Sequence, residues 1–373
     1  MFLALKEMKR SKVRFLLLMV AVALLVFLIL FQQGISSALI RDFTGAIEHQ
    51  TAPVLVYSVD GQRVLQASVM TPELEAKVAS VPGIAASGRL GVGTFTVTAD
   101  GERVDATIIG YQQPELGAPS RVVAGRLPSA ADEVVATEED RSKGFDIGDT
   151  VTVEPGGRVL TVVGLARQSQ LNVVPTLFTA YDTYVNAVVA RNPDARTPLP
   201  NVLALAPEAG VTPEALADRI NATDLDLDAL TRQQAADKTP GVSQVKQSFA
   251  VIFLLYGLVV PLVTGLFFLI VTFQKANSLT LLRAIGAPSS RLVWSLLVQV
   301  AIVLVGGLGI GILGDVGISQ GQVGSLTLEF NPGAVVFWAV LLFVLGIISS
   351  LVAARRVLAI DPIAATTGAG VGR

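Results

Sequence analysis

The stretch FLLLMVAVALLVFLILFQQGISSALIRDFTGAIEHQ, residues 15–50, decides how the rest of the chain is read. From Phe15 to about Leu39 it carries no Lys, Arg, Asp or Glu. That exceeds the roughly 20 apolar residues needed to cross about 30 Å of hydrocarbon. The run is too long for a signal-peptide core, and LFQQGISSALIRDF offers no clean small-residue cleavage site, so it reads as a span. The pattern does not stop at the membrane. Ile35, Leu39, Phe43 and Ile47 recur every four residues, and Pro53 ends the series. A helix leaving the bilayer with one apolar stripe must pack that stripe on something. The expected partner is QQAADKTPGVSQVKQSF, residues 233–249.

Three further segments have the same character: Phe249–Phe273, Leu292–Leu313 and Ala334–Ala354. About 200 mixed residues separate the first span from the second, enough for one domain or two small ones. The expected fold is therefore four transmembrane helices with a large α+β domain, residues 50–240, inserted between helices 1 and 2. Residues 15–49 form the first span and its outward extension. In residues 1–14, MFLALKEMKRSK places Phe2, Leu5 and Met8 on one side of a basic helix suited to lying along a membrane surface. Residues 274–291 form a loop between spans, and 355–373 form a tail.

Charge sets the orientation. Lys6, Lys9, Arg10, Lys12 and Arg14 precede span one, Lys275, Arg283 and Arg291 lie between spans two and three, and Arg355 and Arg356 follow span four. The connection between spans three and four has no Lys or Arg, only Asp315 and Glu329. The positive-inside rule puts both termini and the 274–291 loop in the cytoplasm of a plasma-membrane protein, with residues 40–246 outside. That outer region holds 17 basic and 26 acidic residues, a net of −9, which argues against nucleic acid as a partner.

Within it, APVLVYSV and RVLTVVGLA read as strands, and TFTVTADGERVDATIIGY as a hairpin turning at Asp100-Gly101. TPELEAKVASVPGI and TPEALADRINA read as helices capped by Thr71 and Thr212, and their shared opening hints at a repeated βαβ layer. Gly306, Gly307, Gly309, Gly311 and Gly314, late in span three, suit close helix packing.

Several chemistries are absent. With no cysteine there is neither a disulfide framework nor a thiolate metal site. No G-x-x-x-x-G-K-[ST] loop, H-E-x-x-H helix or G-x-S-x-G elbow is present. The single histidine is His49. No ionisable residue is expected mid-span, so an intramembrane proton relay is not expected.

Four motifs in order carry a family resemblance: AGRLPSAADEVVAT (124–137), GFDIGDTVTVEPGGRVLTVVGLA (144–166), LLRAIGAPSSRLVWSLLVQ (281–299) and ARRVLAIDPIAA (354–365). Together they resemble MacB/FtsX-type ABC transporter permeases. The resemblance implies a non-catalytic, homodimeric membrane subunit with two cytoplasmic ATPase subunits that bind the ATP. It also implies that Leu282, Arg283, Ile285 and Gly286 lie in the coupling helix that docks on the ATPase. A short amphipathic helix at a cytoplasmic turn is physically suited to a groove on a partner.

The opening of the outer domain further resembles the haem-efflux permeases of Gram-positive bacteria, of HrtB type. Haem is then the expected transported ligand, with no intrinsic cofactor. His49 would supply the haem iron's axial ligand, since imidazole is a common choice, with Glu48 as a weaker substitute. Phe43 would face the ring, and Arg41 or Arg89 would meet a propionate. Two other readings remain open: a mechanotransmitter that controls an outer partner such as a cell-wall hydrolase, and a lipoprotein- or peptide-handling permease.

The orientation is directly testable. With single cysteines at Ser129 and Ser289, an impermeant thiol reagent applied to intact cells should label position 129 and spare position 289. The reverse pattern would invert the topology.

Overall fold

The computed structural model describes residues 11–192, 198–274, 289–318, 322–323, 326–328 and 330–358. The first element, α1 (Lys12–Glu48), is one uninterrupted helix of 37 residues. At 1.5 Å per residue it is about 55 Å long, well beyond the thickness of a bilayer's hydrocarbon. The chain divides into two units, Met1–Ala38 with Gln247–Arg373, and Leu39–Lys246. The division moves the expected 50–240 boundaries outward, because the end of α1 belongs with the second unit.

In chain order the elements of that unit are β1 (Val54–Ser58), α2 (Pro72–Ala79), β2 (Ile84–Ala99), β3 (Glu102–Tyr111), β4 (Val122–Gly125), β5 (Glu133–Thr137), β6 (Thr150–Glu154), β7 (Arg158–Ala166), β8 (Thr176–Ala180), α3 (Tyr181–Arg191), β9 (Val202–Pro207), α4 (Pro213–Thr223), β10 (Leu227–Thr231) and α5 (Arg232–Asp237). The two TPE segments begin helices as their chemistry dictates. Thr71 Oγ1 accepts the Leu74 N–H and Thr212 Oγ1 accepts that of Ala215, with proline in the first turn.

The strand order β10-β1-β9-β2 is antiparallel throughout. It follows that β1-α2-β2 and β9-α4-β10 each join parallel strands, interleaved as in the ferredoxin-like split βαβ arrangement. Val54 and Val56 of β1 pack with Leu216 and Ile220 of α4 on one face. Leu55 and Tyr57 point to the other core. That alternation is the period of two expected of a strand buried on both sides.

Everything from the second half of β2 to β8 is inserted into this arrangement, and it closes on itself. β2 pairs with β3, β3 with β8, β8 with β5, β5 with β7, β7 with β6, and β6 again with β2. The result is a six-stranded barrel filled by Phe95, Val97, Ile108, Val134, Val153, Leu160, Val162 and Leu177. At this size side chains fill the lumen, so the barrel is a core and not a channel. The β2–β3 turn is at Asp100 (φ 49°) and Gly101 (φ 78°), the left-handed pair a two-residue hairpin needs.

The other unit holds the first part of α1 with α6 (Val242–Gln274), α7 (Ser289–Ile318) and α8 (Pro332–Leu358); among the described residues, four helices including α1 are long and apolar enough to cross a membrane. A short hairpin of β11 (Gln322–Val323) and β12 (Leu326–Thr327) lies between α7 and α8. Gly306, Gly307 and Gly311 of α7 face Met19, Val22 and Val26 of α1, so the helices touch nearly backbone to backbone there. Gly309 faces open space. Asp315, expected in a connecting loop, lies instead in the last turn of α7, because the helix runs five residues past Leu313.

Gly91 and Gly110 mark one tight contact in the barrel. A Cβ at either would overlap the side chain of Tyr184 on α3, whose hydroxyl donates to Asn201 Oδ1 at 3.4 Å. Gly91→Ala should cost about 1–3 kcal/mol through overpacking. Thermal unfolding should report a midpoint lower by about 2–4 °C per kcal/mol for a unit of this size. An unchanged midpoint would mean the ring yields without cost.

Candidate functional site

The site is built where the last turns of α1 meet the loop between β7 and β8. Three backbone hydrogen bonds fasten them: Ala46 N–H to the Gln170 carbonyl (2.8 Å), Asn172 N–H to that of Phe43 (3.2 Å) and Val173 N–H to that of Asp42 (3.0 Å). Gly45 makes the approach possible, since a Cβ there would collide with the Gln168 carbonyl. Beyond the helix the chain is fixed again. The His49 carbonyl accepts from Ser120 N (2.7 Å) and Oγ (2.6 Å).

The residues most deeply buried at this joint are Asp42, Thr44, Ala46 and Ile47, so its seated face is largely polar or small. Of the expected apolar stripe only Ile47 is fully buried; Ile35, Leu39 and Phe43 are half-buried. The expected partner, residues 233–249, contributes Ala235 and Ala236, which share a buried apolar cluster with Ala46 and Ile47, and Thr239 to Gly241 near Phe43. The principal partner is Gln168–Val173. That segment has no apolar periodicity and went unnoticed in the sequence.

Three acidic residues surround the joint. Asp140 is saturated, accepting from Thr137 Oγ1 (2.6 Å), Gln170 Nε2 (2.5 Å) and Lys143 Nζ (2.7 Å). Glu139 accepts the Gln168 N–H through Oε1 (2.8 Å), but its buried Oε2 has no hydrogen-bond partner among the described residues. Asp42 lies 3.6 Å from Arg41 Nε through Oδ1, and its Oδ2 is likewise buried without a hydrogen bond. Burial pushes the Glu139 carboxyl above its ordinary value and Asp140 adds to this, against the Gln168 N–H and Arg41.

Of the residues expected to hold haem, Arg41, Phe43, Glu48 and His49 lie in or just after the last turns of α1, and Arg89 lies in β2. His49 donates Nδ1–H to the Gln168 carbonyl at 2.7 Å, which leaves Nε2 as its remaining donor atom. Glu48 is half-buried at the helix end. Arg41 pairs with Asp42, and Arg89 is held in β2 by a two-pronged pairing with Glu75 of α2 (3.0 and 2.7 Å). Phe43 lines a largely apolar cavity of about 150 Å³. Among the described residues no group of three or more His, Cys, Asp and Glu could hold a metal ion. Leu282, Arg283, Ile285 and Gly286 lie outside the described residues.

No family model matches the chain. An uncharacterised ABC transporter permease of Mycobacterium tuberculosis is 25% identical over 386 residues, covering 99% of both chains. A protein named "Putative hemin transport system permease protein HrtB", of Staphylococcus haemolyticus, is 22% identical over 379 residues, again 99% of both. The periplasmic region of MacB from Actinobacillus actinomycetemcomitans aligns with 50% of this chain and 91% of its own, at 14% identity and a TM-score of 0.36. Across 99% of its length the chain is similar to proteins named ABC transporter permeases.

Glu139, half-buried with its Oε2 enclosed, makes stability depend on pH in a definite direction. A folded-state pKa above the ordinary 4.5 means the folded protein binds this proton more tightly than the unfolded chain. That contribution is present below pH 4.5 and is lost as pH rises through the folded value. Glu139→Gln keeps an acceptor for the Gln168 N–H and removes the buried charge. The variant should therefore be more stable than the parent at pH 8, with the advantage gone by about pH 4. Hydrogen exchange of the 168–174 amides at both pH values measures it; an equal or reversed difference at pH 8 would overturn the assignment.

Proposed function

We propose that this relative of ABC transporter permeases is the membrane subunit of an ATP-driven efflux system that moves haem or a similar amphipathic molecule out of the membrane. Two copies would work with two cytoplasmic ATPase subunits, both termini would be cytoplasmic, and Leu39–Lys246 would face outward. The observation that carries this reading is the continuity of α1. One unbroken helix runs from the apolar segment to a joint of three backbone hydrogen bonds in the second unit. A helix translates its length rigidly, so nucleotide-driven movement of the spans would arrive at that joint. The end-to-end relationship to a hemin transport permease supports haem as the cargo. His49 Nε2 would be the axial donor, its ring oriented by the Gln168 carbonyl as metal-bound imidazoles commonly are.

A second reading, a mechanotransmitter acting on an outer partner, gains from one observation. Arg89 is committed to Glu75 and is not poised for a propionate.

The test uses the permease and its ATPase in lipid nanodiscs. Haem should shift its Soret band on binding and stimulate ATP hydrolysis. His49→Ala should shift or abolish that band, and Glu48→Ala should do so less. Ile285→Asp should keep the band and lose the stimulation, since the docking face is damaged. A His49→Ala, Glu48→Ala double variant with an unchanged spectrum would eliminate this haem site. Absence of any haem response in the parent would leave the mechanotransmitter ahead.

A further inference from the structure

Beside the last turns of α1 is the apolar cavity of about 150 Å³. Phe43 and Ile47 form one wall, Val64 and Leu65 of the β1–α2 connection a second, and Leu171 a third, with Thr239 and Pro240 completing it. No charged residue lines it. Its polar lining residues are Gln66, Asn172 and Thr239; Thr239 donates to the Ala235 carbonyl (2.8 Å) and Gln66 to Thr94 Oγ1 (3.0 Å).

Both loops that contribute walls have left-handed backbone at non-glycine residues. Gln62 (φ 47°) and Arg63 (φ 64°) precede Val64, and Asn172 (φ 58°) and Val173 (φ 61°) follow Leu171. Val173 is β-branched, and such a residue at positive φ is a true outlier. Strain of this kind persists only where the surroundings impose it, and it gathers at ligand clamps and switch regions. Here the imposing contacts are the hydrogen bonds from Asn172 and Val173 to the end of α1.

Size and lining restrict the occupant. A cavity of this volume lined chiefly by Leu, Ile, Val and Phe is of a size to accept one benzene ring. A whole haem is several times too large. We propose that the cavity is a binding site for a single aromatic ring or branched alkyl group, the apolar end of a small amphipathic molecule, seated against Phe43 and Ile47. Its occupant would touch α1 and the strained 171–173 loop together, and so would tighten the joint between them.

The experiment uses the full chain in lipid nanodiscs, with 13C-labelled Ile, Leu and Val methyl groups and benzene as the probe. Saturable shifts are expected at Ile47, Leu65 and Leu171, with none at Val134 and Val162 inside the barrel. Val64→Trp, at a rim position 38% exposed, should fill the cavity and abolish those shifts while the barrel resonances stay in place. If that variant fails to fold, Leu171→Phe fills the cavity from the opposite wall and is read the same way. Shifts that are absent, that grow linearly without saturation, or that survive cavity filling would overturn the site. Cross-relaxation of these methyls with lipid acyl protons before benzene is added would overturn the occupant in favour of a lipid tail. The measurement needs neither haem nor the ATPase, so its failure and failure of the permease reading are distinguishable.

Discussion

The backbone of α1 can lie against the 168–173 loop only because position 45 has no side chain. With any Cβ there, the Gln168 carbonyl would have to move, and with it the His49 ring it orients and the Gln168 N–H bound by Glu139. Three backbone hydrogen bonds depend on the same approach. Leaving a buried backbone group unpaired costs about 1–3 kcal/mol, so the joint breaks only at a cost comparable to much of a domain's stability. That constraint makes the end of α1 an integral part of the second unit.

The joint adds polar contacts to the apolar packing of Ile47, and this has a consequence for how it holds. Apolar packing is non-directional and tolerates sliding. Hydrogen bonds to Ala46, Phe43 and Asp42 fix a single register of helix against loop. Asp140, fully satisfied at the centre, braces Gln170 from behind, while Asp42 and Glu139 each leave one oxygen unbonded. A partly satisfied polar network is rigid in its saturated part and costly in the rest. The strained φ values of Asn172 and Val173 fall at the point where the loop must bend to reach the helix.

Much of the local structure could be read from the residues. The Asp100-Gly101 hairpin and the two Thr-Pro-Glu helices are encoded by turn and cap chemistry confined to three or four residues, and the apolar spans by simple length. Closure of the barrel was not legible. The alternation of Val134, Ala136, Val151, Val153, Leu160 and Val162 tells which side is inward, but not that β6 pairs with both β2 and β7. The joint escaped for a different reason. A search for an apolar stripe passes over Asp42, Thr44 and Gly45, and Gln168–Val173 has no period at all. His49 and Arg89 stand out by their chemistry alone, and no short-range signal shows that one is engaged by a carbonyl 119 residues away and the other by Glu75.

The two ways in and out of the second unit reach different parts of it. α1 leads into β1 of the split βαβ sheet and is also bonded to the loop joining β7 and β8, both barrel strands, whereas α6 follows β10 and α5 of the sheet. A displacement of one helix relative to the other would therefore act between barrel and sheet. What resists it is β2, a single strand of 16 residues. Its first half pairs with β9 in the sheet, its last residues pair with β6 in the barrel, and β3 runs alongside from Leu90 onward. Shearing the two parts would have to break ladders on both sides of one continuous strand. Small displacements should consequently move the second unit as one piece.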